Sequence, residues 1–354
     1  MGTLASANIN EELRRRINLE VADDCAFFFR KLNDRSKFKH GYAESYDDEG
    51  EPALGVDVNY FHPQETQDEL MLNIMRNIVL NGKVSPQSRV CNTIVSHFYG
   101  GWRIHQTMTC QSDPSKAVVD FERLLTDIEY KEAIKSNLDL GYELGLPIYS
   151  KTELRTSLWG SANKHALATT GIKSNDKINL LLWIASFIPN GVADGILYSE
   201  SLKGVYDVLT SLPGVGQYYG YNSGVANSLN PAINAYHDEP FCVPGPGCRK
   251  TLDMLFGKDC KINYGQRVVW FRHNYEDFIG KFNLHPSSYN VEVDGVEIFK
   301  EPQDTLKVHG CEVALCQYGV FDRLRSEPKL ALRRTVSKAE DFPMEEFYSR
   351  GITV

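Results

Sequence analysis

The feature that most constrains this chain is the recurrence of apolar residues every three to four positions along nearly its whole length, interrupted once by strict alternation. That spacing puts the apolar side chains on one face of an α-helix, whereas alternation would put them on one face of a strand. Read this way, Asn8 to Leu32 predicts an opening helix. Thr66 to Leu80 predicts a second, with acids in its first turn and Gly82 just past its end. Pro86 begins a third, SPQSRVCNTIVSHFY, stopped by Gly100-Gly101, and further helices are predicted at 114–138, 174–188, 199–211, 213–229, 246–256, 264–281 and 304–325. The exception is VEVDGVEIF, Val291 to Phe299, which alternates around Asp294-Gly295, a pair suited to a two-residue hairpin turn. The expected fold is therefore mostly α with one small β-hairpin near the C-terminus. The expected division is a helical N-terminal part over 1–170 with an acidic, inserted loop near 38–64, a second helical part over 171–330, and a tail over 331–354.

Composition narrows the class. The 354 residues are 42% hydrophobic and 24% charged, values of a soluble globular protein. The longest apolar run, Leu180 to Ile188, is far short of the roughly 20 residues that a bilayer span needs. No apolar signal core follows Met1, so a cytoplasmic chain with no membrane partner is expected. Eight cysteines at 25, 91, 110, 242, 248, 260, 311 and 316 lack the density of a secreted disulfide scaffold, and reduced thiols are expected. The net charge of −8 argues against a general nucleic-acid coat, which gains affinity from many phosphate contacts. Yet Glu44, Asp47, Asp48, Glu49 and Glu51 crowd one segment, and the stretch RLRSEPKLALRR is basic, so a local basic surface remains open.

Three motifs carry chemistry. The first is Leu212-Pro213-Gly214-Val215-Gly216-Gln217-Tyr218 between two helical patterns. Pro213 ends one helix, the glycines permit close approach of a ligand, and the amides opening the next helix are left for an anion such as a nucleic-acid phosphate. A glycine-punctuated helix turn is the plain alternative. The second is Val243-Pro244-Gly245-Pro246-Gly247-Cys248-Arg249-Lys250, where Gly245, Gly247, the first helical amides and two bases could hold a phosphate or pyrophosphate. The third is Cys311-Glu312-Val-Ala-Leu-Cys316-Gln-Tyr318 with Asp322-Arg323, in which Glu312, Cys316 and Arg323 fall near one helical face. Glu312 there reads as a buried general base, an arginine partner or a solvated side chain. Cys242, Cys248 and Cys260, with gaps that match neither an iron–sulfur run nor a structural zinc pattern, are read as ordinary thiols, and no metal ligands are assigned.

The first motif resembles the helix-hairpin-helix of the DNA glycosylase superfamily, in which LPGVG holds a DNA backbone phosphate. In those glycosylases a functional aspartate follows the helix that the hairpin opens, and Asp238 lies 22 residues beyond Gly216. The lysine of bifunctional glycosylases is replaced by Gln217 and Tyr218. In order, LPGVG, Asp238, VPGPGCRK and the Glu312 to Arg323 segment resemble phage amino acid:DNA transferases, formerly α-glutamyl/putrescinyl-thymine pyrophosphorylases, over about residues 170 to 325. The family's N-terminal block has only a partial echo in RVCNTIVSHFY.

The resemblance implies a helix-hairpin-helix, glycosylase-like helical fold and an enzyme of the host-cell cytoplasm. Its partners would be double-stranded DNA carrying a modified thymine and a free amino acid such as glycine. The amine would displace pyrophosphate from an activated 5-hydroxymethyl uracil taken out of the duplex. It implies Asp238, then Glu312, as catalytic carboxylates. Substrate contacts would come from Gly214, Gly216, Gln217, Tyr218, Gly245, Gly247, Arg249, Lys250 and Arg323, with Tyr219, Tyr221 and Tyr236 as further wall. It implies no certain cofactor, and Mg²⁺ could assist through phosphate oxygens. The rival readings are a monofunctional DNA glycosylase and a non-catalytic DNA-binding module. Related helical domains also accompany 5-hydroxymethyl-uracil DNA kinases, but the chain has no GxxxxGK[ST] phosphate loop.

Overall fold

The computed structural model describes residues 2–39, 74–79, 81–99, 103–146, 173–213, 215–230, 233, 240–279, 290–293, 296–300, 307–326 and 343–354. It is mostly helical: α1 (Gly2–Arg16), α2 (Leu19–Lys39), α3 (Pro86–Tyr99), α4 (Arg103–Thr109), α5 (Phe121–Thr126), α6 (Ile128–Glu143), α7 (Lys173–Ala185), α8 (Val192–Leu197), α9 (Leu202–Thr210), α10 (Gln217–Ser228), α11 (Pro246–Phe256), α12 (Tyr264–Asn274), α13 (Glu276–Ile279), α14 (Val308–Ser326) and α15 (Met344–Arg350). A short π-helix covers Ile74–Val79, within the predicted second helix. The one alternating segment pairs as predicted: β1 (Asn290–Val293) lies antiparallel to β2 (Val296–Lys300), closing on Val293 opposite Val296, with an irregularity between Val291 and Glu292.

Three predicted helices are split: that over 264–281 breaks at Tyr275 into α12 and α13, and the other two each break at a polar residue whose side chain competes for backbone amides. Asn18 accepts from the amides of Glu20 and Val21, so the opening helix breaks into α1 and α2. Asp120 and Asp127 cap α5 and α6, so the segment predicted as one helix over 114–138 is two.

The chain forms two compact units that run across the sequence divisions at 170 and 330. Unit 1 joins Met1–Asp68 to Asp238–Ala339, and unit 2 joins Glu69–His237 to Glu340–Val354. In unit 1, Phe28 stacks on Phe321 at 4.8 Å and Phe29 meets Phe271 edge-on at 6.2 Å, so α2, α12 and α14 share an aromatic core with α11 through Leu252 and Leu255. In unit 2, α3 to α9 surround a core that includes Ile94, Met108, Phe121, Leu181, Ile184 and Val205. The chain's last residues close this unit. Asn137 donates to the Ile352 carbonyl at 2.7 Å and accepts from its amide at 2.8 Å, and Phe347 is fully buried in the same core. Among the described residues no helix is long and apolar enough to cross a membrane.

Candidate functional site

Several helix starts of the described chain carry a side-chain cap, among them Asp120 for α5, Asp127 for α6, Ser201 for α9 and Asn263 for α12. The two glycine motifs differ. α10 begins at Gly216 and α11 at Gly245, both extended and neither with a side-chain hydrogen bond of its own. Their first-turn amides are therefore available to whatever faces them.

At α10 that neighbour is solvent. Gly216, Gln217 and Tyr218 are exposed, and a Cβ built on Gly216 would meet no atom within 4 Å. The turn is held from behind: the Val215 amide bonds the Leu212 carbonyl at 3.2 Å, and Gly220 brings α10 so close to α9 that a Cβ would stand 2.5 Å from Thr210 Cγ2. Leu209 and Val215 are buried beneath it. The result is a braced turn ending in an open helix N-terminus, a geometry suited to an oxyanion. Tyr218 stays 39% exposed beside it, while Tyr221 is fully buried and is a core residue, not part of a ligand wall. Gly214, Asp238 and Tyr236 lie outside the described residues.

At α11 the neighbour is α14. Glu312, 1% exposed, accepts from the Gly245 amide at 2.9 Å, and the backbone of Gly247 and Cys248 hydrogen-bonds to Cys316 Sγ. Thr251 completes the seam by donating to the Leu315 carbonyl at 2.8 Å. Burial raises the Glu312 carboxyl above its ordinary 4.5, against smaller opposing effects of His309 and of the Gly245 amide. Burial likewise pushes the Cys316 thiol up to about 11, and that of Cys248 further. The thiols are thus protonated, and all eight cysteines are free.

The bases of this motif are partly committed too. Arg249 Nε donates to the Pro244 carbonyl at 2.9 Å and its guanidinium lies 5.6 Å from the centre of the Tyr264 ring. Lys250 points to solvent. The structure therefore gathers Gly245, Gly247, Arg249, Glu312 and Cys316. Arg323, further along α14, is exposed and does not join them.

Among the described residues no three His, Cys, Asp or Glu side chains converge as a metal site. The Ser96 and His105 pair of unit 2, at 2.7 Å, resembles a nucleophile and base only on paper. Both are fully buried, and burial lowers His105 to about 3, which marks a neutral structural ring.

A mostly helical chain thus carries a braced, solvent-open helix start after Leu212 and Pro213. The chain belongs to the family described as 5-hmdU DNA kinase, helical domain, whose model matches residues 65–329. No curated protein and no solved structure matches it.

Proposed function

We propose that this protein acts in DNA base hypermodification, on double-stranded DNA whose thymines carry a 5-hydroxymethyl group, and that it transfers an amino acid such as glycine onto the pyrophosphorylated form of that base. The observation that carries the reading is the open α10 N-terminus in a chain of the 5-hmdU DNA kinase helical-domain family. The amides of Gln217 and Tyr218 hold a backbone phosphate there, and Gly216, with open space where a Cβ would stand, leaves room for the strand.

In the transfer, the amine nitrogen forms a bond to the exocyclic methylene carbon. The incoming ammonium first gives a proton to a carboxylate, which frees the nitrogen lone pair for that bond, and the carbon–oxygen bond to pyrophosphate breaks with its electron pair going to the leaving group. Asp238 is that base. Glu312, enclosed by α11 and α14, is a positioning residue that holds the Gly245 turn, while Lys250 and Arg249 supply positive charge toward pyrophosphate. A divalent cation, if used, enters with the substrate's phosphates.

One observation favours a second reading: the family description is that of a kinase's helical domain, so the chain would present 5-hmdU DNA for phosphoryl transfer. A single experiment separates the two. DNA containing pyrophosphorylated 5-hydroxymethyl uracil is incubated with the protein and mixed amino acids, and DNA containing free 5-hydroxymethyl uracil is incubated with the protein and ATP, after which nucleosides are resolved by mass spectrometry. An amino-acyl adduct in the first arm establishes transfer, and Asp238→Asn should then abolish it while DNA binding survives. A phosphorylated base in the second arm establishes the kinase reading, abasic sites a glycosylase, and unchanged DNA in both arms a binding module.

A further inference from the structure

Unit 1 carries a cavity of about 560 Å³ that none of the three motifs lines, bounded by α1, the segment 240–242 and α12. Its size falls within the usual range for small-molecule sites. Phe241 and Trp270 supply aromatic wall, and Trp270 is held edge-on against Phe256 at 5.5 Å. Segment 240–242 comes this close because Gly265 has no side chain, since a Cβ there would run into the Cys242 carbonyl.

The polar groups around the cavity have their orientations set by neighbours. Trp270 Nε1 donates to Asn10 Oδ1 at 2.8 Å, which fixes that carboxamide and leaves Asn10 Nδ2 as the free end. Asn263 Nδ2 donates to Gln266 Oε1 at 2.7 Å and leaves Gln266 Nε2 free in the same way. His273 Nδ1 lies 2.7 Å from the Val269 carbonyl, which can only accept, so Nδ1 carries the hydrogen and, in that tautomer, Nε2 is the acceptor. Among the described residues neither amide nitrogen has an acceptor. The residues that line the cavity therefore carry two amide donors, one imidazole acceptor and an aromatic face.

We propose that this cavity binds a pyrimidine ring with an intact imide edge, that is, a uracil or thymine ring. Two carbonyl oxygens flanking an N–H complement two donors and one acceptor, and the ring stacks on Trp270 and Phe241. Position 5 of the ring lies away from the imide edge, so a 5-substituted uracil is accepted as well. In a duplex that edge is paired with adenine, so the occupant is either a free nucleoside or nucleotide or an unpaired base of a strand. The inference stands independently of the transfer reaction, which places no residue here.

Calorimetric titration of the full chain tests it, with thymidine, N3-methylthymidine, 2′-deoxycytidine and single-stranded oligothymidylate as probes. Thymidine is expected to bind and the N3-methyl and cytosine nucleosides to bind at least about tenfold more weakly, because each leaves a rim group unpaired. Asn10→Ala and Gln266→Ala, both at exposed positions, should each weaken thymidine about fivefold without loss of fold. Trp270→Phe keeps a ring but removes the N–H that orients Asn10, and should cost a similar factor. If the variants weaken oligothymidylate in parallel, the occupant is an unpaired base of a strand; if they weaken thymidine alone, it is the free nucleoside. No binding of thymidine or oligothymidylate, equal affinity for N3-methylthymidine, or binding indifferent to Asn10→Ala and Gln266→Ala would overturn the proposal.

Discussion

The N-termini of α10 and α11 begin from nearly the same local chemistry: proline, glycine, an extended cap without a side-chain hydrogen bond, and a following helix of more than ten residues. They end differently. At α10 the N-cap Gly216 is exposed and has no side-chain hydrogen bond, whereas at α11 the amides of unit 1 are taken up by Glu312 and Cys316 of α14. The macrodipole argument applies equally to both, so a glycine-opened helix is only a potential anion site. Tertiary packing decides whether the anion is a ligand or the protein's own carboxylate. The contrast leaves the start of α10 open to an external anion, whereas the first-turn amides of α11 serve internal architecture.

The sharpest way to break this comparison is to add one methyl group to each motif. A Cβ on Gly247 would stand 2.6 Å from Cys316 Sγ and 3.3 Å from its carbonyl, so Gly247→Ala should destabilise unit 1 by about 1–3 kcal/mol through overpacking. Cys316→Ala in the same chain should recover much of that loss, because the sulfur is the nearest obstruction. Gly216→Ala, into open space, should change stability by under about 0.5 kcal/mol. Chemical denaturation followed by hydrogen exchange in each unit measures all three. Equal costs at 216 and 247 would mean that the seam between α11 and α14 is looser than described.

The two units should also respond to pH with opposite sign. His105 of unit 2 is lowered from 6.5 to about 3 by burial, so the unfolded chain takes up a proton that the native ring refuses. Its stabilising contribution is present above pH 6.5 and is lost on acidification, by about 2–3 kcal/mol near pH 4.5. His105→Gln should flatten that slope. Glu312 of unit 1 is raised above 4.5, so the native state keeps a proton that the unfolded chain releases. Its contribution is present below pH 4.5 and declines as pH rises through the folded value. Glu312→Gln retains a carbonyl for the Gly245 amide without a charge, and its stability relative to wild type should increase from pH 5 to 8. Hydrogen exchange of α11 amides against those of α4 separates the two trends, and parallel slopes in both units would refute the assignment.

Much of the architecture was legible in local pattern and little of the site was. Apolar periodicity located the helices and Asp294-Gly295 located the hairpin, because both are decided within a few residues of chain. The splits at Asn18 and Asp127 turn on caps inside otherwise helical patterns, which periodicity alone averages away. Glu312 was readable as a carboxylate on a helix, but its partner is Gly245, 67 residues away, and no spacing rule connects them. The same holds for the C-terminal segment, expected as a tail but held to unit 2 by Asn137, and for the cavity joining Asn10 to Gln266. Those facts belong to packing between segments distant in sequence.

A small gain in stability gives the most direct functional test. Gly216 is extended, at φ −74° and ψ 162°, and has open space where a side chain would go, so an aspartate fits without strain. Its carboxylate would accept from the first-turn amides and meet the positive end of the helix dipole, so Gly216→Asp should stabilise unit 2 by about 0.5–1 kcal/mol. The same carboxylate would occupy the oxyanion position and repel a DNA phosphate, so DNA affinity should fall at least about tenfold. Gly216→Asn would cap comparably without a full charge and should lose less affinity. A structural turn with no ligand would show the gain in stability and unchanged DNA binding, whereas a phosphate site must lose binding as it gains stability. Melting temperature and a salt-dependent DNA titration on the same preparation distinguish the two outcomes.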